Sequence, residues 1–209
     1  ATFPEDTENT FYEPYWKQIN HLELNNDFDR EPYFNRYKNA VRFADRNIKK
    51  LIDFLGKEDL LNKTIIVIGA DHGEEFNDNK KNFWGHNGNF TTYQARVPLV
   101  ILWPGKQAEE VGYRTSMLDI APTLLTDALG CENPIEDYSS GASLWRDSKR
   151  KFVFGSNYSN DAFIEPERIV IINKAGSLDY RLPNNDKASD RDVPSYWKEA
   201  LKEMTKFLK

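Results

Sequence analysis

The sequence predicts an α/β fold: a mixed, largely parallel sheet with helices on both faces, followed by a small antiparallel sheet. Three observations carry this. Residues 64–69 (Thr64-Ile65-Ile66-Val67-Ile68-Gly69) and residues 97–103 are short, β-rich runs that are almost wholly apolar, the pattern of strands covered on both faces. An apolar pattern at helical spacing precedes the first of them. Beyond about residue 150 the runs become shorter and are separated by turn residues.

Taken in order, residues 1–31 read as irregular, punctuated by Pro4 and Pro14, with Asn25-Asn26-Asp27 as a turn. A helix should follow. Pro32 suits its first turn, and Phe34, Tyr37, Val41, Ala44, Ile48, Leu51, Ile52 and Leu55 recur at helical spacing until Gly56 closes it. Arg42, Arg46, Lys49 and Lys50 take the other face, as expected for an amphipathic helix laid on a sheet. Residues 65–68 and 99–102 are the expected central strands. Between them lies a polar, glycine-bearing stretch, residues 70–96. Loops beyond about 12–15 residues are uncommon in compact domains and are usually functional or disordered. This one starts where a buried strand ends, the place where open α/β sheets put their sites.

Residues 119–129 read as another helix, with Asp119 as N-cap, Pro122 in the first turn and Gly130 as the stop. Residues 152–154, 168–172 and 177–182 read as short antiparallel strands, with Asn173-Lys174-Ala175-Gly176 as a turn. Residues 196–208 should form a closing helix with Trp197, Leu201, Met204 and Leu208 on one face. The expected division is residues 1–150 as the α/β part and residues 151–209 as the small strands and last helix of the same domain.

Composition narrows the function. A net charge of −5 argues against a general nucleic-acid binder, whose surface carries a basic excess. The longest apolar run is residues 97–103, far short of the roughly 20 residues of a membrane span. The start of the chain is acidic and polar and does not read as a signal peptide. One cysteine, Cys131, excludes an intrachain disulfide and a multi-cysteine zinc site.

The chemistry gathers in the long loop. Asp71-His72-Gly73 follows the first strand directly, and Gly73, free to adopt positive φ, would let both side chains aim at one cation. An oxygen with an imidazole nitrogen suits zinc or manganese and, less specifically, magnesium or calcium. His86 lies fourteen residues after His72, between Gly85 and Asn87-Gly88, where an imidazole stays reachable as ligand, proton donor or phosphate contact. A hydrogen-bonded turn is the bland alternative for Asp71-His72. Glu74 and Glu75 read either as supports for the ligands or as exposed loop carboxylates. His21 has no partner pattern and reads as a plain surface histidine.

Four blocks in matched order resemble the sulfatase branch of the alkaline phosphatase superfamily: residues 65–74 through Asp71-His72-Gly73-Glu74, then Gly85-His86, then Arg96-Val97-Pro98-Leu99-Val100-Ile101, then Asp119-Ile120-Ala121-Pro122-Thr123-Leu124-Leu125. The fuller pattern is most similar to inner-membrane, periplasmic sulfatase-like proteins of the YejM/PbgA type, with phosphoethanolamine and phosphoglycerol transferases as nearby relatives. The resemblance implies a divalent metal (Mn, Zn, Mg or Ca) at Asp71 and His72. It implies that His86 acts on the oxygens of an anionic sulfate or phosphate ester, lipid-linked ones included, with Glu74 in support. It also implies that the nucleophile lies outside this chain, which would be the soluble C-terminal portion of a protein held at the periplasmic face of the inner membrane by a missing N-terminal part. By itself the chain is then expected to be inactive. The alternative is a catalytically silent regulatory domain that binds lipid or protein, and three metal- or phosphate-competent side chains in one loop argue against it.

Overall fold

The first helix, α1 (Glu31–Lys57), carries Pro32 in its first turn, where the fixed φ and missing N–H suit it. In the computed structural model, residue 3 and residues 10–207 are described, and the chain forms two units, Ala1–Ala108 and Glu109–Lys209. Pro4 and Leu208 fall outside the described residues.

In the first unit, the irregular segment 10–30 covers the front half of α1 through polar side chains. Asn39 is fully buried; its Oδ1 accepts from Tyr12 N (2.8 Å) and its Nδ2 donates to Tyr12 O (3.0 Å). Asn35 donates to Pro14 O at 3.0 Å, and Arg36 to Trp16 O at 3.1 Å. Of the apolar stripe anticipated from the spacing, the front is covered, Phe34 and Tyr37 packing on Phe76, and the rest is not the buried face. Val41, Leu51 and Phe54 are about half exposed, and the helix buries Tyr33, Asn35 and Asn39 instead. Hydrogen bonding to an otherwise unpaired segment decides which side of the helix is covered.

The two apolar runs become β1 (Ile66–Gly69) and β4 (Leu99–Leu102). They pair with each other, antiparallel, in the register Ile66↔Leu102 to Gly69↔Leu99. The expected parallel arrangement is absent among the described residues, where every ladder is antiparallel. Parallel pairing needs a crossover element, usually a helix. The segment between these strands supplies only the hairpin β2 (Glu75–Phe76) and β3 (Trp84–Gly85) and the four-residue α2 (Thr92–Ala95). Nor is this ribbon covered on both faces: Val67 is exposed on one side and Val100 on the other.

The second unit opens on a 3-10 turn, Met117–Asp119, that runs into α3 (Ile120–Asp127). Asp119 holds the N-cap position of α3, but its side chain makes no cap bond to that helix; the capping is done one turn earlier by Ser116. Ser116 Oγ accepts from Leu118 N, and Ser116 N donates to Asp119 Oδ2 at 2.7 Å. Asp119 is itself buried, accepting from Ala142 N (2.8 Å) and pairing with Arg150. A four-stranded sheet follows, in the order β5 (Val153–Ser156), β6 (Asn160–Ile164), β7 (Ile169–Asn173) and β8 (Leu178–Arg181). Strand β6 has no counterpart in the sequence reading. Its first two residues are polar, yet it supplies the centre of the core, Phe163. Phe163, Val170, Tyr180 and Ala200 close this core with Trp197, Leu201 and Met204 of α4 (Trp197–Thr205) packed on it. Together these make the mixed α/β class with a small C-terminal antiparallel sheet.

Candidate functional site

The hairpin builds the site. Its register sets Glu75 opposite Gly85, so the residues just outside the pair, Glu74 and His86, face each other across the ladder. His86 Nδ1 lies 3.0 Å from Glu74 Oε2. A carboxylate can only accept, so Nδ1 carries the hydrogen and Nε2 is left for a ligand. His72 comes to the same place from the end of β1. Its Nδ1 lies 2.9 Å from Gly73 O, which again fixes the hydrogen on Nδ1. The two imidazoles stack with centroids 3.9 Å apart at 26°. His72, Glu74 and His86 can each offer a ligand atom within 4.8 Å of the others, a group able to hold a metal ion. Asp71 stands at the edge. Its Oδ1 accepts from His72 N at 3.0 Å, and its Oδ2 lies 3.6 Å from His72 Nε2, with most of its side chain in solvent.

Successive strand residues point to opposite sides, and the two glutamates show the consequence. Glu74 faces the histidines. Glu75 is fully buried on the other side, where Oε2 accepts from Asn89 Nδ2 (2.8 Å), Gln94 Nε2 (2.8 Å) and Thr91 Oγ1 (3.3 Å) and Oε1 from Asn79 Nδ2 (3.2 Å). It is not an exposed loop carboxylate. Gln94 ties the halves of the loop together: its backbone O accepts from Gly73 N (2.8 Å), and its Oε1 accepts from Gly88 N (3.2 Å). That close approach is why residue 73 is glycine. A Cβ there would sit 2.1 Å from Tyr93 O, and Gly73 is not among the residues of positive φ.

Behind Glu74 stands Tyr33, buried, donating its hydroxyl to Oε1 at 2.7 Å. Burial, and then the hydrogen bond to Glu74, hold its phenol pKa well above the usual value. Trp84 and Trp16 lie on its ring planes (6.1 Å, 12° and 6.2 Å, 25°), and Phe76 meets it edge-on at 5.0 Å. His21, exposed, meets Tyr33 at 5.9 Å and lies beside Gly85, where an added Cβ would be 3.7 Å from its Cε1. All three histidines of the chain therefore surround the hairpin end. Sequence reasoning missed Tyr33, Gln94 and the placement of His21. The one available signal was the density of aromatics in residues 11–37, which marks this cluster.

Comparison with known proteins gives the family. The profile of the Sulfatase family matches residues 2–130. The inner membrane protein YejM of Salmonella typhimurium is 24% identical over 177 residues, 84% of this chain and 29% of that protein. Steryl-sulfatase of Rattus norvegicus is 30% identical over 132 residues, 57% of this chain and 23% of that protein. The chain thus spans less than a third of the length of these relatives. Among solved structures, a phosphonate monoester hydrolase from Silicibacter pomeroyi superposes with a TM-score of 0.60 at 20% identity, over 87% of this chain and 42% of that one. A protein solved with its substrate D-glucosamine-2-N,6-O-disulfate gives 0.59 at 22% identity, over 84% and 40%. With the family profile spanning more than half of its residues, the chain belongs to the sulfatase family of the alkaline phosphatase superfamily and is similar to YejM.

Proposed function

We propose that the loop between β1 and β4 is the metal-side half of a site for anionic sulfate or phosphate esters. The observation that carries this is the convergence of His72 and His86, each with Nδ1 engaged and Nε2 left over, beside two carboxylates. An imidazole nitrogen with a carboxylate oxygen suits a divalent ion of the zinc or manganese kind. Asp71 and His72 would hold it, and when bound it would neutralise charge on the transferring group and polarise its oxygens. His72 offers Nε2, held in place by the Gly73 carbonyl. His86 turns Nε2 toward the ester oxygens, to bind one or to pass a proton to the leaving group. Glu74 keeps that ring in position. The nucleophile is assigned to no residue of this chain, so the chain alone should show no turnover.

The setting we propose draws on the relatives. YejM is described as an inner membrane protein, and no helix among the described residues is long and apolar enough to cross a membrane. We place the site at the periplasmic face, working on esters that include lipid-linked ones, with the membrane reached through other parts of the protein.

Calorimetric titration of the 209-residue chain with Mn2+ and Zn2+ tests this. Binding should be measurable and lost on His72→Ala, and neither aryl phosphate nor aryl sulfate should turn over. No binding of either ion, or binding untouched by His72→Ala together with Asp71→Ala, would refute the metal site. Loss of metal binding without any loss of function in the whole protein would favour the regulatory reading.

A further inference from the structure

Glu74 could serve this site in two ways: as a third metal donor beside the histidines, or as the group that aims His86. The hydrogen bonds favour the second. Both oxygens already accept, Oε1 from the Tyr33 hydroxyl at 2.7 Å and Oε2 from His86 Nδ1 at 3.0 Å. Tyr33 cannot follow if Glu74 turns away. Its ring is buried, stacked with Trp16 and with Trp84, with Phe76 against its edge. Swinging the carboxylate toward a cation would strand a buried hydroxyl without an acceptor, which proteins avoid. His86, by contrast, is partly exposed and, among the described residues, is held by Glu74 and by the stack on His72.

We infer that Tyr33 and Glu74 are positioning residues for His86: Tyr33 fixes Glu74, and Glu74 fixes both the rotation of the imidazole and the site of its hydrogen, so that Nε2 is the atom shown to the ligand. This rests on the proposed role of His86 only for what that ligand is. The arrangement follows the general rule that the partner of one ring nitrogen sets the task of the other. A neutral imidazole in water favours the hydrogen on Nε2, so the Nδ1–H form is a state that Glu74 must impose. Its presence in solution is the mark of the relay, and a merely structural role for Glu74 would not produce it.

The experiment is a long-range 1H–15N correlation spectrum of the 15N-labelled chain, metal-free, above the range where imidazoles titrate. In the wild type, His86 should show a protonated Nδ1 and a bare Nε2. Glu74→Ala should move the larger share of His86 to the Nε2–H form. Tyr33→Phe should shift it part of the way, and His72, held by Gly73 O, should keep its pattern in both. If Glu74→Ala disturbs the fold, Tyr33→Phe, which removes one oxygen, carries the test. His86 mainly in the Nε2–H form in the wild type, or unchanged in both variants, would overturn the inference. Added Mn2+ gives a second arm. Broadening of His72 should survive Tyr33→Phe and Glu74→Ala, and its complete loss in a folded Glu74→Ala chain would make Glu74 a ligand and overturn the inference. Because the tautomer is read without metal, a wild type that ignores Mn2+ would sink the metal reading alone.

Discussion

At the scale of single residues, the unexpected one is Glu75. It is a fully buried carboxylate whose partners are all neutral donors, on Asn79, Asn89, Thr91 and Gln94. Glu75→Ala would leave those donors facing a hole. Each stranded buried group costs about 1–3 kcal/mol, and as they share one acceptor we expect a combined loss of about 3 kcal/mol, measured by urea unfolding. Loss under about 0.5 kcal/mol, the range of plain surface changes, would show the network to be unimportant. Such a residue also marks what a sequence can reveal. Asp71, His72 and His86 could be singled out because they lie in one loop and carry distinctive chemistry. Tyr33 was not singled out, since nothing local tells that its hydroxyl reaches Glu74, 41 positions away. Glu74 and Glu75 are identical letters, and only the pleat assigns one to the site and the other to the interior.

At the scale of elements, periodicity placed the helices well and gave the packed face of α4, Trp197, Leu201 and Met204, but not that of α1. The spacing in α1 gives a helix of nearly the observed length. It does not give the covered side, because residues 10–30 claim Asn35 and Asn39 by hydrogen bonds that no hydrophobic pattern encodes. In the second unit, β6 was missed for a related reason: Asn160 and Asp161 open it as a turn would, and the apolar residues that follow are few. Phe163 is nevertheless the hub of that unit, fully buried and in ring contact with Phe152, Phe154 and Trp197. Phe163→Ala should destabilise the chain by about 3–5 kcal/mol, the usual cost of emptying a large aromatic site. Chemical denaturation with tryptophan fluorescence reads this, since Trp197 packs on the vacated space. A cost below about 1 kcal/mol would mean that the sheet and α4 do not form one core.

At the scale of the whole molecule, the first unit leaves much apolar surface uncovered. Val41, Leu51 and Phe54 on α1 are exposed, as are Val67 on one face of the β1–β4 ribbon and Val100 on the other. Large exposed apolar areas mark sites of association. The 209-residue chain should accordingly bind an environment-sensitive dye such as ANS in its native state and self-associate with rising concentration. Val67→Lys combined with Val100→Lys should reduce both effects, as followed by dye fluorescence and sedimentation velocity. A strictly monomeric wild type without dye binding would contradict this.

The pairing of Gly69 with Leu99 carries a consequence of another kind. The site loop leaves the ribbon and returns to it at the same rung, so its two ends are anchored side by side. The entropic cost of closing such an excursion rises only slowly, by about 0.6 kcal/mol for each doubling of the loop. Residues added at the hairpin tip, between Asn77 and Asn82, would lengthen the reach of the loop without shifting the register of either strand. Chemistry and framework are thereby separable inheritances: a lineage can rewrite what lies around His72 and His86 while the rung beneath them stays the same.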